Sequence, residues 1–431
     1  MDNALLVGLL TLFVALVFML LGVQVGFSLS LAGVLAFLVF HGKVEIVGNV
    51  FFDSTNNFTL TAVPLFVFLG EILLRCGASE TIYRGTSKLF AWIPGGLLQS
   101  NIASCALFAA ISGSSPATAA TIGTVAIPAL EKRGYDTRMT LGSLAAGGTL
   151  GILIPPSINM IVYGMVADTS IGRLFIAGVI PGILLSLIFM AYIAVAVMRH
   201  EQLAPRERFS FREALRGIPD LWPAAFLATI VLGGVFVGIV TATEAAALGA
   251  SGAMFIAAIL GELTRKNLRT ALTNTVMVSC MVMLIYVGAM IITSFFGVMG
   301  LPRAMARVVL ESGIGKYWVL AGIYLLYIIL GCFLDGVSMI VLTVPTLLPI
   351  LDALGFDRVW FGIVLVVLCE VGFITPPMGL NLYVIQGISQ RPFGEVVRGV
   401  VPYFWLMLVG LLLFTIFPSL ALWLPSIMIG K

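Results

Sequence analysis

The sequence has 431 residues, of which 60% are hydrophobic and 10% are charged, and its formal net charge is +3. Soluble globular proteins carry about 25% charged residues, so this chain has too little charge to cover a surface that faces water. The composition excludes a soluble enzyme and provides no basic face for nucleic acid.

Long apolar runs indicate where the chain crosses a membrane. About 20 apolar residues suffice to span a bilayer, so each long charge-free stretch predicts at least one crossing. We therefore expect an all-α polytopic membrane protein, surrounded by lipid bilayer, with about eleven transmembrane helices and a pair of re-entrant hairpins. Stretches without Asp, Glu, Lys or Arg include residues 3–40, 89–130, 139–167, 270–302 and 399–430.

The first half of the sequence predicts one structural unit over residues 1–198. Glu80, Arg84 and Lys88 recur at spacings of four and predict an amphipathic arm helix along the membrane interface. In chain order, the predicted elements are scaffold helices within 4–75 (near 4–22, 25–40 and 58–75, with a polar loop at 41–57), the arm helix at 78–92, a hairpin and a broken helix within 95–168, and a helix at 172–198.

A basic linker at residues 199–219 precedes a second unit, at 220–431, with the same order of elements. Because the linker holds the densest group of arginines, we place it in the cytoplasm; they are Arg199, Arg206, Arg208, Arg212 and Arg216. The predicted elements that follow are scaffold helices within 221–297 (near 221–239, 243–261 and 274–297), an arm at 302–315, a hairpin and a broken helix within 317–388, and a final helix at 396–430.

Each half contains two interruptions that are rich in Gly, Pro, Ser or Thr. Non-helical backbone at membrane depth is tolerated only where it is buried in protein or lines a wet cavity. The interruptions at 111–118 and around 335–338 predict hairpin tips, and those at 151–157 and 372–381 predict helices that are unwound in the middle.

Residues 128–181 align without a gap with residues 349–402 when the sequence is shifted by 221 residues, which superposes Gly151 on Gly372 and Pro155-Pro156 on Pro376-Pro377. Counting crossings outward from a cytoplasmic linker places 16 of the 23 basic residues inside and 7 outside. Both termini then lie outside, and the halves are inverted repeats. Inverted repeats with discontinuous helices are typical of secondary transporters.

The four interruptions also predict two cation sites. An unwound helix exposes carbonyl oxygens, proline removes a donor, and hydroxyls of a neighbouring tip complete an oxygen cage. Small residues that only kink and pack helices are the alternative, and the agreement between two halves disfavours it. The predicted ligands are Ser112, Ser114 and Ser115 with the backbone of Gly151, Ile154 and Pro156, and Asp335, Gly336 and Ser338 with the backbone of Gly372, Thr375 and Met378 and the Thr375 hydroxyl.

Each hairpin tip begins a second helical arm, where free backbone amides favour an anion. We therefore expect a carboxylate substrate between the two tips. The predicted contacts are the polar residues beside the interruptions: Thr118, Ser157, Asn159, Ser338 and Asn381.

Three acids lie in apolar surroundings, Glu71, Glu244 and Glu370, and an intramembrane acid is a functional hypothesis by default. Glu370 precedes Gly372 by two residues. It is either a proton site or an acid that orients the broken helix. We favour orientation, because the oxygen-rich breaks already supply ion sites and the other half has Thr149 at the matching position.

Four motifs together resemble the DctM-like large membrane subunit of tripartite ATP-independent periplasmic (TRAP) transporters: SGSSPATAA at 112–120, GILIPPS at 151–157, FLDG at 333–336 and GFITPPMGLN at 372–381. The resemblance implies an elevator-type transporter in a bacterial inner membrane, where the two termini that the count of crossings places outside are expected in the periplasm. It also implies Na⁺ coupling, an organic-acid substrate such as a C4-dicarboxylate or sialic acid, a periplasmic substrate-binding protein and a separate small four-helix membrane subunit.

The same resemblance implies two sodium sites, which fall on Ser112, Gly151, Ile154 and Pro156 and on Gly331, Gly372, Thr375 and Met378. No cofactor other than Na⁺ is expected. ATP has no support, because the sequence contains no Walker-type phosphate loop.

Two other functional classes compete with this interpretation. The first is a stand-alone ion-coupled anion transporter, or an H⁺-coupled carrier, of the same architecture. The second is an intramembrane hydrolase with a serine nucleophile at 112–115, which lacks a base because His41 and His200 both lie at the ends of apolar runs.

Overall fold

The computed structural model describes residues 2–205 and 210–428, and all regular structure in these residues is helical. The linker residues Arg206 and Arg208 lie outside the described residues. The helices of the first half are α1 (Asp2–Leu20), α2 (Val25–Phe40), α3 (Glu45–Thr55), α4 (Ala62–Arg75), α5 (Ala78–Leu89), α6 (Leu97–Ser112), α7 (Ser115–Lys132), α8 (Thr137–Gly148), α9 (Leu150–Leu153), α10 (Ile158–Val166) and α11 (Ile171–Arg199).

The second half begins with a short helix in the predicted linker and ends in two apolar helices. A π-helical turn, Thr229–Gly233, separates its second and third helices. Its helices are α12 (Phe211–Gly217), α13 (Trp222–Ala228), α14 (Gly234–Phe236), α15 (Ala242–Ile259), α16 (Arg265–Val298), α17 (Leu301–Glu311), α18 (Lys316–Gly331), α19 (Gly336–Ala353), α20 (Arg358–Phe373), α21 (Leu380–Ser389), α22 (Phe393–Ile416) and α23 (Ser419–Met428).

Many of these helices are long and apolar enough to cross a membrane. In the described ranges, 7 helices are individually long and apolar enough to cross a membrane. The number is 8 when Thr137–Leu153 and Ile158–Val166, which are bent by 40° relative to each other, count as one broken span. Five shorter apolar helices of 10–17 residues accompany them. The all-α, polytopic membrane class is therefore confirmed, whereas the count of eleven crossings and the inversion of the halves stay predictions.

The four interruptions fall where the sequence predicts them. Short non-helical segments separate α6 from α7, α9 from α10, α18 from α19, and α20 from α21. Each of the two Pro-Pro pairs contains a cis peptide bond. Glycine, proline and serine produce these breaks locally, because they favour turns and caps over helix interiors.

The predicted polar loop at 41–57 was wrong, since most of it forms α3. Ile46, Val47 and Val50 lie on one side of this helix and pack against the apolar core, and α3 contacts α16. An amphipathic face of this kind stabilises a short helix through packing rather than through propensity.

The predicted final helix at 396–430 was also wrong in one respect, because it is two helices. Phe417 lies between α22 and α23 with φ −120° and ψ 74°. The next residue is Pro418, whose ring disfavours a helical conformation at the preceding residue.

The helix α16 begins earlier than predicted, at Arg265 rather than near 274. Thr264 caps it by accepting from the Asn267 N–H at 3.2 Å.

The two halves exchange contacts around the interruptions. α10, which follows the first break, packs against α19 of the second half, and α21, which follows the second break, packs against α7 of the first half. The junction therefore needs both halves to form.

The arm helix α5 contacts Asp220, directly after the linker, on one side and the first hairpin on the other. On one side, Asp220 accepts hydrogen bonds from Arg84 at 3.2 Å and from Lys88 at 2.9 Å. On the other, the Thr86 hydroxyl lies 2.6 Å from the Ser104 hydroxyl of α6. The second arm is observed as α17, with bounds close to those predicted.

The close crossing of α8 and α22 yields a stability prediction. A methyl group added at Gly142 would overlap the carbonyl oxygen of Gly399. Gly142→Val should lower the unfolding free energy by about 1–3 kcal/mol, the usual cost of overpacking a core. The measurement is the thermal unfolding midpoint of the purified protein.

Gly387→Ala on α21 is the matched control, because no atom lies within 4 Å of the added methyl group. Alanine is also the better helix former, so this midpoint should be unchanged or slightly higher. Equal midpoints for Gly142→Val and the parent protein would contradict the close crossing.

Candidate functional site

The first hairpin tip consists of Gly113 and Ser114, which join α6 to α7. Gly113 has φ +64°, a left-handed conformation that suits glycine. Ser114 caps α7 by accepting from the Ala117 N–H at a long 3.4 Å. The hydroxyls of Ser112 and Thr118 share a hydrogen bond of 2.8 Å, and both side chains are buried. A predicted cation ligand and a predicted substrate contact are therefore direct neighbours.

The first break runs between α9 and α10. Ile154 is extended, with φ −83° and ψ 122°. Ser157 caps α10 by accepting from the Met160 N–H at 3.3 Å. Because Pro155 has no N–H, the Gly151 carbonyl lacks the donor four residues later that an α-helix supplies.

The first tip and the first break touch through their backbones. A methyl group at Gly113 would lie 2.9 Å from the Pro156 carbonyl oxygen. One at Gly151 would lie 2.7 Å from both the Ser114 carbonyl oxygen and the Ser115 Cα. Only glycine permits this approach, and it brings Ser114 and Ser115 of the tip against Gly151 of α9, and Gly113 against Pro156 of the break.

The first tip also borders a predicted scaffold helix. A methyl group at Gly70 of α4 would lie 3.1 Å from the Ser112 carbonyl oxygen. The tip is therefore enclosed by the break on one side and by α4 on another.

The second tip is capped differently. The Asp335 carboxylate accepts from the N–H groups of Val337 at 3.0 Å and Ser338 at 3.3 Å, and it also accepts from the Ser338 hydroxyl. The amides at this tip are consequently not free, so the prediction that both tips offer them to an anion was wrong for the second one. A carboxylate from the chain already fills that position.

The second break lies close to the end of α18. A methyl group at Gly331 would lie 2.8 Å from the Gly372 Cα. The Thr375 hydroxyl donates to the Val371 carbonyl at 2.6 Å, and the Thr375 N–H donates to the Gly372 carbonyl at 3.2 Å. The structure thus brings Gly331, Gly372 and Thr375 together, while the Met378 side chain is exposed.

Two asparagines reach across to the opposite half. Asn159, after the first break, lies against Gly336 of the second tip. Asn381, after the second break, donates to the Ala145 carbonyl of α8 at 3.2 Å. Asn159 Nδ2 and Asn381 Oδ1 are buried without a hydrogen-bond partner. The hydroxyls of the other predicted substrate contacts are already bonded within the chain; these are Thr118, Ser157 and Ser338.

The three acids singled out by the sequence have different environments. Glu71 forms a 3.0 Å ion pair with Arg75 and accepts from Asn274 at 3.1 Å. Glu244 completes a capping box with Thr241 at the start of α15. These two acids therefore stabilise the scaffold helices in which they lie.

Glu370 is completely buried and makes contacts that the sequence did not predict. It accepts from the Ser115 hydroxyl and from the Ile152 N–H at 3.2 Å, both in the first half. Its apolar surroundings were visible in the sequence. The internal repeat could not identify its partners, because it relates Glu370 only to Thr149.

The oxygen-rich junctions define the chemistry that the site allows. Within the described ranges no group of three or more His, Cys, Asp or Glu side chains could hold a metal ion. The donors at both junctions are hydroxyl, carbonyl and carboxylate oxygens, which suit hard cations rather than transition metals.

Comparisons with solved structures support the fold. The chain superposes on the YdaH transporter of Alcanivorax borkumensis with a TM-score of 0.63 and 13% identity, covering 89% of this chain and 90% of that one. For MtrF of Neisseria gonorrhoeae the TM-score is 0.57 at 14% identity, with 90% and 85% covered. At these identities the likeness concerns the fold alone.

Comparisons of sequence identify the family. Residues 12–420 match the model of the tripartite ATP-independent periplasmic transporter, DctM component. The chain is 35% identical to the C4-dicarboxylate TRAP transporter large permease protein DctM of Pseudomonas aeruginosa, over 93% of this chain and 94% of the relative. It is 33% identical to the sialic acid TRAP transporter large permease protein SiaM of Vibrio cholerae, over 95% and 96%.

A longer relative is the isethionate TRAP transporter permease protein DctMQ of Oleidesulfovibrio alaskensis, which is 35% identical over 94% of this chain but only 64% of its own length. The family model and the full-length relatives indicate the same family as the four motifs, which lie at the two junctions. The chain therefore belongs to the DctM family of large permease components of TRAP transporters, which are multi-pass membrane transport proteins.

Proposed function

We propose that this chain is the translocating membrane subunit of a Na⁺-coupled importer of an organic acid. The observation that carries the proposal is the first junction, where hydroxyls and an unpaired helix carbonyl meet in buried surroundings. A second junction of similar composition lies in the other half.

The first junction favours a cation for a specific reason. The Ser112 and Thr118 hydroxyls are 2.8 Å apart and buried, and Pro155 deprives the Gly151 carbonyl of its helical donor. The Gly151 carbonyl oxygen is therefore left without its helical donor, which costs free energy, and a bound Na⁺ would relieve that cost. The proposed ligands of the two cages remain those predicted from the sequence.

The second junction is the weaker cage by the same criterion. The Gly372 carbonyl oxygen already accepts from the Thr375 N–H at 3.2 Å, whereas the Gly151 carbonyl oxygen lacks its helical donor. A cation at the second junction would therefore compete with a hydrogen bond that the first junction does not have. We therefore propose that the first site binds its cation more tightly than the second.

An organic anion fits the polar groups that remain. Asn159 Nδ2 is a buried donor without a partner. At the first tip the Ala117 N–H makes only a long 3.4 Å bond to the Ser114 hydroxyl, so this amide is weakly bonded within the chain. Relatives are named for C4-dicarboxylates, sialic acid and isethionate, all of which are organic anions. We propose a substrate of this class.

The proposed partners are a periplasmic substrate-binding protein and a small four-helix membrane subunit. We propose that a separate polypeptide supplies the small subunit, as the resemblance to the large membrane subunit of TRAP transporters implies. The hairpins and broken helices would move as an elevator against the remaining helices, in the inner membrane of a bacterium.

The proposed topology has the linker in the cytoplasm and both termini in the periplasm, as inverted repeats over 1–198 and 220–431. Its support is the 16-to-7 division of the 23 basic residues. Alkaline phosphatase fused to the C-terminus should be active, and the same enzyme fused at the linker should be inactive. Activity only at the linker would reverse this orientation.

Uptake in proteoliposomes tests the function itself. Purified protein with its small subunit should accumulate a labelled C4-dicarboxylate or sialic acid only with loaded binding protein outside and an inward Na⁺ gradient. Omission of any one component should reduce uptake to the background of empty liposomes.

The same assay decides between this proposal and its alternatives. Uptake without the binding protein would indicate a stand-alone transporter. Uptake driven by a proton gradient in the absence of Na⁺ would indicate an H⁺-coupled carrier.

A single hydroxyl tests the first cage. Ser112→Ala should raise the Na⁺ concentration for half-maximal uptake about tenfold, because one buried oxygen ligand is lost and tenfold corresponds to about 1.4 kcal/mol. The measurement is initial uptake rate against Na⁺ concentration at saturating binding protein.

Ser251→Ala is the matched control for this variant. Its hydroxyl is exposed and donates only to the Ala247 carbonyl of its own helix, at 2.9 Å. Its Na⁺ dependence should equal that of the parent protein. An unchanged Na⁺ dependence in Ser112→Ala would remove Ser112 from the cage.

A further inference from the structure

Glu370 connects three segments that are distant in sequence. It lies on α20 and is completely buried. Its Oε1 atom accepts from the Ser115 hydroxyl, at the start of α7, and from the Ile152 N–H of α9 at 3.2 Å. One oxygen of the second half therefore bonds both the first tip and the helix that leads into the first break.

These two donors flank the closest contact between tip and break. The neighbouring residue Gly151 lies against Ser114 and Ser115, with 2.7 Å from a methyl position at Gly151 to the Ser115 Cα. Because Ser115 and Ile152 share one acceptor, the tip cannot leave the break without breaking at least one buried hydrogen bond. Each buried donor left unpaired costs about 1–3 kcal/mol.

The equivalent position in the first half makes no such connection. A shift of 221 residues relates Glu370 to Thr149, which follows α8 and whose hydroxyl donates to the Ala146 carbonyl of that helix at 2.6 Å. The second tip is instead held by Asp335, which caps α19 from within the same hairpin. The first tip has only the long bond between Ser114 and Ala117 as its own cap.

The second oxygen of Glu370 suggests how to test the role of the charge. Oε2 is buried and has no hydrogen-bond partner, and within the described structure the carboxylate forms no ion pair. A glutamine at this position keeps one oxygen that can accept from both donors. It removes the charge and the capacity to bind a proton.

We propose that Glu370 is a positioning residue that holds the tip of the first hairpin closed on the first break. The geometry of the first cation cage then depends on a side chain from the other half of the chain. The assignment of the cage to Na⁺ rests on the proposed function, whereas the closing of the tip rests on the contacts alone.

Hydrogen exchange tests the closing without any transport measurement. The full chain with its small subunit, in lipid nanodiscs, is compared as the parent protein, Glu370→Gln and Glu370→Leu. In the leucine variant, amides within 112–118 and 150–154 should exchange about tenfold faster, while those within 334–340 should be unchanged. The glutamine variant should stay within about twofold of the parent protein.

Thr149→Val is the matched control, because it removes a hydroxyl that bonds only the Ala146 carbonyl, three residues earlier at the end of α8. Its exchange should equal that of the parent protein at both tips. If the leucine variant does not fold, Glu370→Met replaces it, since methionine is flexible and lacks a strong acceptor.

Two results would overturn the proposal. One is parent-like exchange at the first tip in the leucine variant. The other is equally fast exchange in the glutamine and leucine variants, which would assign the effect to the charge or a proton rather than to hydrogen-bond acceptance.

Uptake provides the second measurement. Glu370→Leu should raise the Na⁺ concentration for half-maximal uptake about tenfold, and Glu370→Gln should restore the parent value. If the parent protein shows no Na⁺ dependence, the proposed function fails, and the exchange measurement still decides the role of Glu370. If the parent protein is Na⁺-dependent and the leucine variant retains its Na⁺ affinity, the tip does not shape the cage.

Discussion

Hydrocarbon offers no hydrogen bonds, so a backbone group at membrane depth must find its partner within the protein. Helices meet this requirement by themselves, and the long helices of the scaffold need nothing else. The four interruptions do not meet it. They persist because side chains supply the missing contacts: Asp335 does so from within the second hairpin, and Glu370 does so for the first tip and break from the other half of the chain.

That dependence explains why the junctions are built from both halves. α10 packs against α19 and α21 packs against α7, so each half shields the unwound backbone of the other. Neither half buries its own interruptions alone. The two similar sequence units are nevertheless unequal, because a carboxylate within the hairpin caps the second tip, whereas a carboxylate from across the junction bonds the first. The two proposed cation sites are expected to differ for that reason.

The positions of the interruptions were predictable from the sequence, because Gly, Pro and Ser act on the backbone within a few residues. The capping of α19 could also have been foreseen, since Asp335 is a favoured cap residue directly before Gly336. Pro418 likewise marks the end of α22, although the apolar run continues past it. The helix α3 was missed because its stability comes from packing against α16. The partners of Glu370, Asn159 and Asn381 were missed for the same reason: tertiary contacts leave no period in a sequence.

The contact between Gly70 and the first tip has a consequence for movement. The Ser112 carbonyl oxygen lies 3.1 Å from the place where a side chain on Gly70 would begin. On the proposed elevator, α4 stays still while the tip travels along it. The clearance between the stationary and the travelling part is then set by the absence of one methyl group. A bulkier residue at this point would obstruct the path of the tip while leaving both binding sites chemically intact.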